Sequence, residues 1–419
     1  METDRAHVNL LLQLLVRGCT VFPLNPRLPI SRLYNTLCYA GCHTIIARQG
    51  VTYMQGIKRF HPDELRDWSR APFIIEGLAH CSLSAPSLLV LTSGSSGDPK
   101  AAALSLGNFQ AAAEYSARNI PLGPGDGWLL SLPLFHVAGL GIVFRCLYSG
   151  AKVVYPASGE TLLQSIQRPE VTHVSLVATQ LYRLLREPGG KEALRRLKAI
   201  LCGGSAMPPA LMEEAAEAGL PLHTSYGMTE TTAQITATAP GEGIEAWRSS
   251  GRPLCEGTVQ ISASGEICVR GQTLFYGYKR VVLEKAALDA AGWFHTGDLG
   301  HMDADGRLHV TGRIGNRFVS GGENVQPEEI ERALLALPGV LRARAVPVPH
   351  PEYVQAPAVF IDLGGAAPPT LQALRDSLRD SLPPHALPRH VFPWPVHLER
   401  EGEKMSQAAL SAEAIRLLR

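Results

Sequence analysis

The sequence predicts an α/β protein, with a large layered α/β domain carrying a β-rich subdomain and a small α+β C-terminal domain. Three observations carry this reading. Between Ser87 and Tyr226 short β-rich runs alternate with longer helical stretches. Near Gly251 the pattern changes to short strands divided by tight turns. After Arg313 a glycine-containing loop leads into a compact set of strands and helices.

The chain opens on an apolar run, Val8 to Val16, broken only by Asn9 and Gln13 and ended by Arg17. It is too short to span a bilayer. Glu2 and Asp4 precede it and no small-residue cleavage site follows, which argues against a secretory signal. A buried helix leading into a strand at Cys19–Leu24 accounts for it better. Ser87–Thr92, Trp128–Leu132, Lys152–Tyr155, His173–Val177, Ala199–Cys202 and Pro221–Tyr226 read as strands. Several are apolar throughout, as parallel strands covered on both faces are. Leu106–Arg118, Thr179–Arg186 and Ala210–Ala218 read as the helices between them, which is the grammar of βαβ units.

Thr258–Ser262, Glu266–Arg270, Gly292–Thr296 and Arg307–Thr311 read as antiparallel strands, with Asp303–Gly306 as a turn. Pro327 suits the first turn of a helix, and Glu328, Glu329 and Glu331 suit its positive end. Strands at Val340–Val346 and Ala358–Leu363, a helix at Leu371–Leu382, a Pro-rich crossing and a last helix at Gln407–Leu418 complete the chain. The expected division is 1–314 for the large domain, with its β-rich part at 251–314, and 315–419 for the small one. No internal repeat or low-complexity segment is present.

With 419 residues, 45% of them hydrophobic and 18% charged, the chain can bury a large core without disulfides or metals. A net charge of +1 supplies no bulk field toward nucleic acid or an anionic membrane, and neither is an expected partner. The eight cysteines form no CxxC pair and read as reduced thiols of a cytoplasmic protein. Cys38 and Cys42 could share a helical face, but a zinc site there lacks further ligands in the sequence. Assembly as a homo-oligomer is open.

The strongest local signal is Thr92-Ser-Gly-Ser-Ser-Gly-Asp-Pro-Lys100, directly after a strand. Two glycines and four hydroxyl residues make a turn whose N–H and O–H donors can surround phosphate oxygens, and Lys100 adds a cation. It is no Walker A loop, because Pro99 precedes the lysine and Ala101 follows it. Candidate nucleotide-binding residues are therefore Thr92, Ser93, Gly94, Ser95, Ser96, Gly97 and Lys100.

This string resembles the phosphate-binding signature of the adenylate-forming superfamily, which includes acyl-CoA synthetases, luciferases and the adenylation domains of peptide synthetases. Further matches follow in that family's order. They are Tyr226-Gly-Met-Thr-Glu230, Thr296-Gly-Asp298, Gly312-Arg313, Ser320-Gly-Gly-Glu323, Pro327-Glu-Glu-Ile-Glu331 and Gly402-Glu-Lys404-Met-Ser. Each alone is weak or moderate, and together, in order over most of the chain, they are specific.

The resemblance implies activation of a carboxylic acid by Mg-ATP as an acyl-AMP, then transfer to CoA. A tyrosine at Tyr226 can stack on adenine, beside Gly227, and a carboxylate at Glu230 can hold Mg2+ against the triphosphate. Thr229 is expected at the α-phosphate, and Gly203, Gly204 and Ser205 along the adenine. Asp298 can accept from both ribose hydroxyls, with Arg313 beside it. Alone, Tyr226 could be a half-buried aromatic, Asp298 a turn residue and Arg313 a surface ion pair. Lys404, which would be solvated surface in most proteins, is implied to meet the carboxylate and the α-phosphate when a mobile small domain swings in about Gly315. That hinge position is commonly Asp or Lys in the superfamily, and glycine permits the rotation without holding either pose.

Ser131–Gly139, Ser175–Arg183 and Phe318–Glu329 resemble the o-succinylbenzoate–CoA ligase branch, which serves menaquinone biosynthesis. A substrate with two carboxylates needs a cation or several donors for the one that does not react. Ser175, Thr179, Gln180 and Arg183 are candidates, with His136 beside the acyl pocket; Arg183 could equally be an exposed helix residue. Rival readings are another aryl- or fatty-acyl-CoA synthetase, a stand-alone adenylation enzyme loading a carrier thiol, or an inactive adenylate-binding protein. The match begins near residues 9–26, so the family's usual N-terminal segment is expected to be missing, at a cost in stability.

Overall fold

The computed structural model describes residues 4–28, 30–47, 56–61, 81–92, 100–204, 206–280, 282–320, 323–351, 353–399 and 405–419. Its first helix, Arg5–Val16, starts where Asp4 accepts the His7 N–H, and buries Val8, Leu11, Leu12 and Leu15. Cys19–Leu24 does not become a strand. Val21 makes a single parallel bridge to Leu88, and Pro23 then lacks the N–H to extend a ladder.

A seven-stranded sheet organises the centre. Its order is Arg252–Pro253, Ala233–Ala237, Leu222–Met228, Ala199–Cys202, His173–Leu176, Gly127–Leu129 and Lys152–Val154. The last five of these are parallel and the first two antiparallel. The βαβ reading holds for the five parallel strands. The Ser87–Thr92 run lies elsewhere: Pro86–Thr92 forms an antiparallel hairpin with Lys100–Ser105, in a second sheet completed by Gly277–Lys279 and Leu283–Lys285. Lys100–Ser105 carries no strand signal of its own, because three of its six residues are alanine, a poor strand former.

Helices Leu106–Asn119 and Val137–Ser149 cover the sheet, with the Phe109 and Phe144 rings stacked 4.4 Å apart. Ser105 and Asn108 form a capping box at the start of the former. Periodicity does not predict the Val137–Ser149 helix: it is apolar on nearly every face, so it shows no 3.6-residue alternation.

The β-rich part is a four-stranded antiparallel sheet, ordered Val259–Ile261, Glu266–Val269, Phe294–Met302 and Leu308–Arg313. Phe294–Met302 runs six residues past the expected end at Thr296, carrying Asp298 inside the strand. The loop at 318–324 contains a short hairpin, Phe318–Ser320 with Glu323–Val325. Beyond it, strands Arg342–His350, Val354–Asp362 and His390–Pro393 pack with helices Pro327–Leu335, Leu371–Leu378 and Gln407–Leu417. Their two apolar clusters draw only on residues from Phe318 onward, and among the described residues no apolar cluster mixes them with earlier ones. The described cysteines are all free, and no helix among the described residues is long and apolar enough to cross a membrane.

Candidate active site

Four of the sequence motifs meet at one end of the Leu222–Met228 strand. Tyr226 is near its end and Thr229–Thr231 is a single 3-10 turn. The Tyr226 hydroxyl donates to Asp298 Oδ2 at 2.7 Å, across 72 positions of sequence. Burial, and then the Asp298 charge, hold this phenol protonated well above its ordinary range. Asp298 stands opposite Arg313 in the antiparallel register, and Arg313 Nε lies 3.4 Å from its Oδ1. Three residues from three strands thus form one polar cluster.

Glu230 is 5% exposed, and its Oε1 accepts the Tyr278 hydroxyl at 2.7 Å. Burial pushes this carboxyl up from its ordinary value, against the Tyr278 hydrogen bond, which lowers it. Its Oε2 has no hydrogen-bond partner on any other described residue, which leaves a carboxylate oxygen for a hard cation. The Thr229 hydroxyl likewise has no protein partner among the described residues. Tyr278 also lies under Lys100, whose Nζ is 5.2 Å from the ring centroid. Thr92 and Lys100 face each other as the last pair of their hairpin. Ser93, Gly94, Ser95, Ser96 and Gly97, between them, lie outside the described residues, as do Ser205 and Lys404.

The backbone is tightly specified here. A Cβ on Gly227 would stand 1.6 Å from the Ala233 carbonyl oxygen, so only glycine lets the two strands approach. Thr232 and Ala233 follow with φ of 53° and 77°, the left-handed region that side chains disfavour. Gly203 and Gly204 follow the Ala199–Cys202 strand, and Gly204 takes φ +85°.

The proposed acid-pocket residues are placed differently. Ser175 is buried in its strand, and its Oγ accepts the Trp128 indole N–H at 3.1 Å. Gln180 Oε1 accepts the Val177 N–H at 3.0 Å, closing the start of helix Ala178–Arg186. Thr179 is half-buried on the same first turn, and Arg183 is exposed one turn on. His136 is half-buried at the start of Val137–Ser149, its ring 4.7 Å from that of Phe135. Gly315 occupies the middle of a 3-10 turn, Ile314–Asn316, just after Arg313.

Two residues escaped the sequence reading. Tyr278 sits in a three-residue strand whose pairing with Lys100–Ser105 could not be foreseen. Arg145 is 6% exposed inside an apolar helix, donating to Gln234 Oε1 at 3.1 Å and lying 5.1 Å from the Trp128 ring centroid. Burial lowers its guanidinium pKa to about 10.

This constellation has relatives. The AMP-binding enzyme model matches residues 6–279, and the AMP-binding enzyme C-terminal domain model matches 329–402. The chain belongs to the AMP-binding enzyme family. A 2-succinylbenzoate–CoA ligase of Escherichia coli is 34% identical over 402 residues, covering 95% of this chain and 83% of that protein. One of Geobacillus kaustophilus is 34% identical over 323 residues, but there the match covers 74% of this chain and 66% of its relative, just under two thirds.

Solved members of the AMP-binding family agree in fold. An E. coli MenE variant with bound OSB-AMS has a TM-score of 0.80 at 34% identity, over 96% of this chain and 84% of its own. The Bacillus subtilis o-succinylbenzoate CoA synthetase, in complex with the acyl-adenylate intermediate OSB-AMP, scores 0.79 at 30% identity over 96% and 85%. The same B. subtilis enzyme with ATP and magnesium ion scores 0.74 at 30% identity over 88% and 79%.

Proposed function

We propose that this chain is an AMP-forming acid–thiol ligase that activates o-succinylbenzoate with ATP and passes the acyl group to CoA, in menaquinone biosynthesis. The observation that carries the reading is the convergence of Tyr226, Asp298, Arg313, Glu230 and Lys100 around one strand end. The relatives' substrate and ligands support the acid and the nucleotide.

In this reading Asp298 and Arg313 hold the ribose and Tyr226 lies along the adenine, with Gly203, Gly204 and Ser205 lining it. The Ser93–Gly97 loop and Lys100 surround the β- and γ-phosphates, and Thr229 meets the α-phosphate. Glu230 is the ligand for Mg2+, which neutralises phosphate charge when bound. The relative solved with ATP and magnesium ion supports Mg2+ as the cation. Attack of the substrate carboxylate on the α-phosphorus expels pyrophosphate and leaves the acyl-AMP. Lys404 screens the two anions as they meet. The CoA thiolate then displaces AMP.

The domains divide at 314/315, and the small one turns about Gly315 between the two half-reactions. The separate apolar clusters on either side support that boundary. The second carboxylate of the acid faces Arg183, Thr179 and Gln180, with His136 at the pocket wall. A cytoplasmic location belongs to the same reading, on the scattered cysteine spacing of the sequence.

A CoA-ester assay over aryl and alkyl carboxylates tests the reading. o-Succinylbenzoate should be used far better than benzoate or octanoate, with release of pyrophosphate. A preference for a fatty acid would remove the menaquinone assignment and keep the chemistry; no product with any acid, in folded protein, would remove both.

A further inference from the structure

Beside the Thr296–Asp298 segment, strands Glu266–Val269 and Phe294–Met302 bring together three metal-ligating side chains that have no role assigned above. We propose that Glu266, Cys268 and His295 form a binding site for a borderline-soft divalent cation of the zinc class, with water in the fourth position.

Cys268 and His295 are direct partners in the antiparallel register. The Cys268 Sγ lies 3.6 Å from His295 Nδ1. A tetrahedral ion with a metal–sulfur bond of about 2.3 Å and a metal–nitrogen bond of about 2.0 Å holds those two atoms about 3.5 Å apart. Glu266, two residues before Cys268, places Oε2 2.7 Å from the same Nδ1. One ligand atom from each of the three lies within 4.8 Å of the others.

The bland reading is a surface His–Glu ion pair with a thiol nearby. Two features favour the metal site. Nδ1 carries at most one proton, yet a carboxylate and a thiol both converge on it, and the thiol's other acceptor is the Glu266 carbonyl at a long 3.7 Å, whereas a cation would engage all three side chains. The surroundings are also those of a ligand set. His295 Nε2 is 3.5 Å from Asp289 Oδ2, the carboxylate–histidine arrangement that orients metal-bound imidazoles. Asp289 is itself fixed by the Ala291 and Trp293 N–H groups, each at 2.9 Å. The second oxygen of Glu266 accepts the Gly297 N–H at 2.8 Å.

Sulfur, nitrogen and oxygen donors in one set select zinc over magnesium or calcium, which separates this site chemically from the Mg2+ assigned to Glu230. Cys268 has no exposed surface, so the ion enters past His295, whose side chain is 44% exposed. On binding, the thiol proton and the proton between His295 and Glu266 pass to solvent, and the carboxylate moves outward by about half an ångström to reach bonding geometry.

The test uses the full chain, stripped with chelator and titrated with Co2+ and then Zn2+. We expect one equivalent of Co2+ to bind with a thiolate-to-cobalt charge-transfer band in the near ultraviolet, and Zn2+ to displace it. Cys268→Ser should abolish the band, and it should weaken Zn2+ binding by tenfold or more against a competing chelator. His295→Ala changes only a half-exposed side chain. It should weaken Zn2+ similarly, while the thermal midpoint of the metal-free protein stays put. A parent protein without the band, a band that survives Cys268→Ser, or unchanged Zn2+ affinity in His295→Ala would each overturn the site.

Discussion

The residues proposed for the nucleotide and those proposed for the acid are built on opposite plans. Around Tyr226 the functional groups already hold one another: Tyr226 to Asp298, Asp298 to Arg313, Tyr278 to Glu230. Three of the residues proposed for the acid are instead committed to the scaffold or left in solvent. Ser175 serves Trp128, Gln180 caps its helix, and Arg183 is exposed. A preorganised polar cluster suits the nucleotide proposed to sit there. In the proposed reading, selectivity for the acid rests on few side chains, those of helix Ala178–Arg186 with His136 at the start of another.

The largest effect should come from the group farthest along the chain. Lys404→Ala should slow acyl-AMP formation by about a hundredfold or more, as loss of an oxyanion donor does. With preformed acyl-AMP and CoA the variant should make thioester at nearly the parent rate. Equal loss in both half-reactions, in folded protein, would remove the two-pose assignment; no loss in either would make Lys404 surface.

The acid side can be broken next. Arg183→Ala should raise KM for o-succinylbenzoate by roughly tenfold to a hundredfold, the worth of a hydrogen bond to a charged group, and spare a monocarboxylate. Ser175→Ala should instead cost about 1 kcal/mol of stability by stranding the Trp128 N–H, with little change in KM. If Ser175→Ala raises KM as much as Arg183→Ala, then its hydroxyl does face substrate and the contrast between the two sides fails.

On the nucleotide side, Tyr278→Phe should raise the Mg-ATP requirement by a factor of several, since it frees the Glu230 oxygen that Tyr278 now orients. A matched change in KM for the acid would show a general disturbance of the sheet instead.

Much of this was legible in the sequence because the motifs are local: each strand-and-turn string carries its own residues to a strand end. The parallel strands and the C-terminal helices were readable for the same reason. What was hidden depends on pairing between distant segments. Lys100–Ser105 is alanine-rich and becomes a strand only between Pro86–Thr92 and Gly277–Lys279, which is how Tyr278 reaches Glu230. Nothing in the Ser175 string shows that its Oγ accepts the Trp128 indole N–H, 47 positions away.

Perturbed carboxyls are not confined to the residues proposed for the nucleotide, and Glu331, whose side chain is 17% exposed, makes the point. It lies in helix Pro327–Leu335, in the C-terminal unit, with Oε1 3.0 Å from Arg344 Nε and accepting the Ala345 N–H at 3.0 Å. Burial outweighs the nearby guanidinium and pushes its pKa up from 4.5 to about 7. A carboxyl raised on folding favours the native state while protonated. Its contribution is complete below about pH 4.5 and is lost as pH rises through about 7. That shift corresponds to a few kcal/mol at most, on the order of 1.4 kcal/mol per unit. Glu331→Gln keeps the acceptor oxygen and cannot ionise. Thermal midpoints across pH 5 to 8 should therefore fall more steeply for the parent than for the variant, with turnover at fixed pH nearly unchanged. Parallel curves would mean that Glu331 titrates as an ordinary surface carboxyl. A parent that gains stability with pH relative to the variant would mean that the Arg344 pair, and not burial, governs this carboxylate.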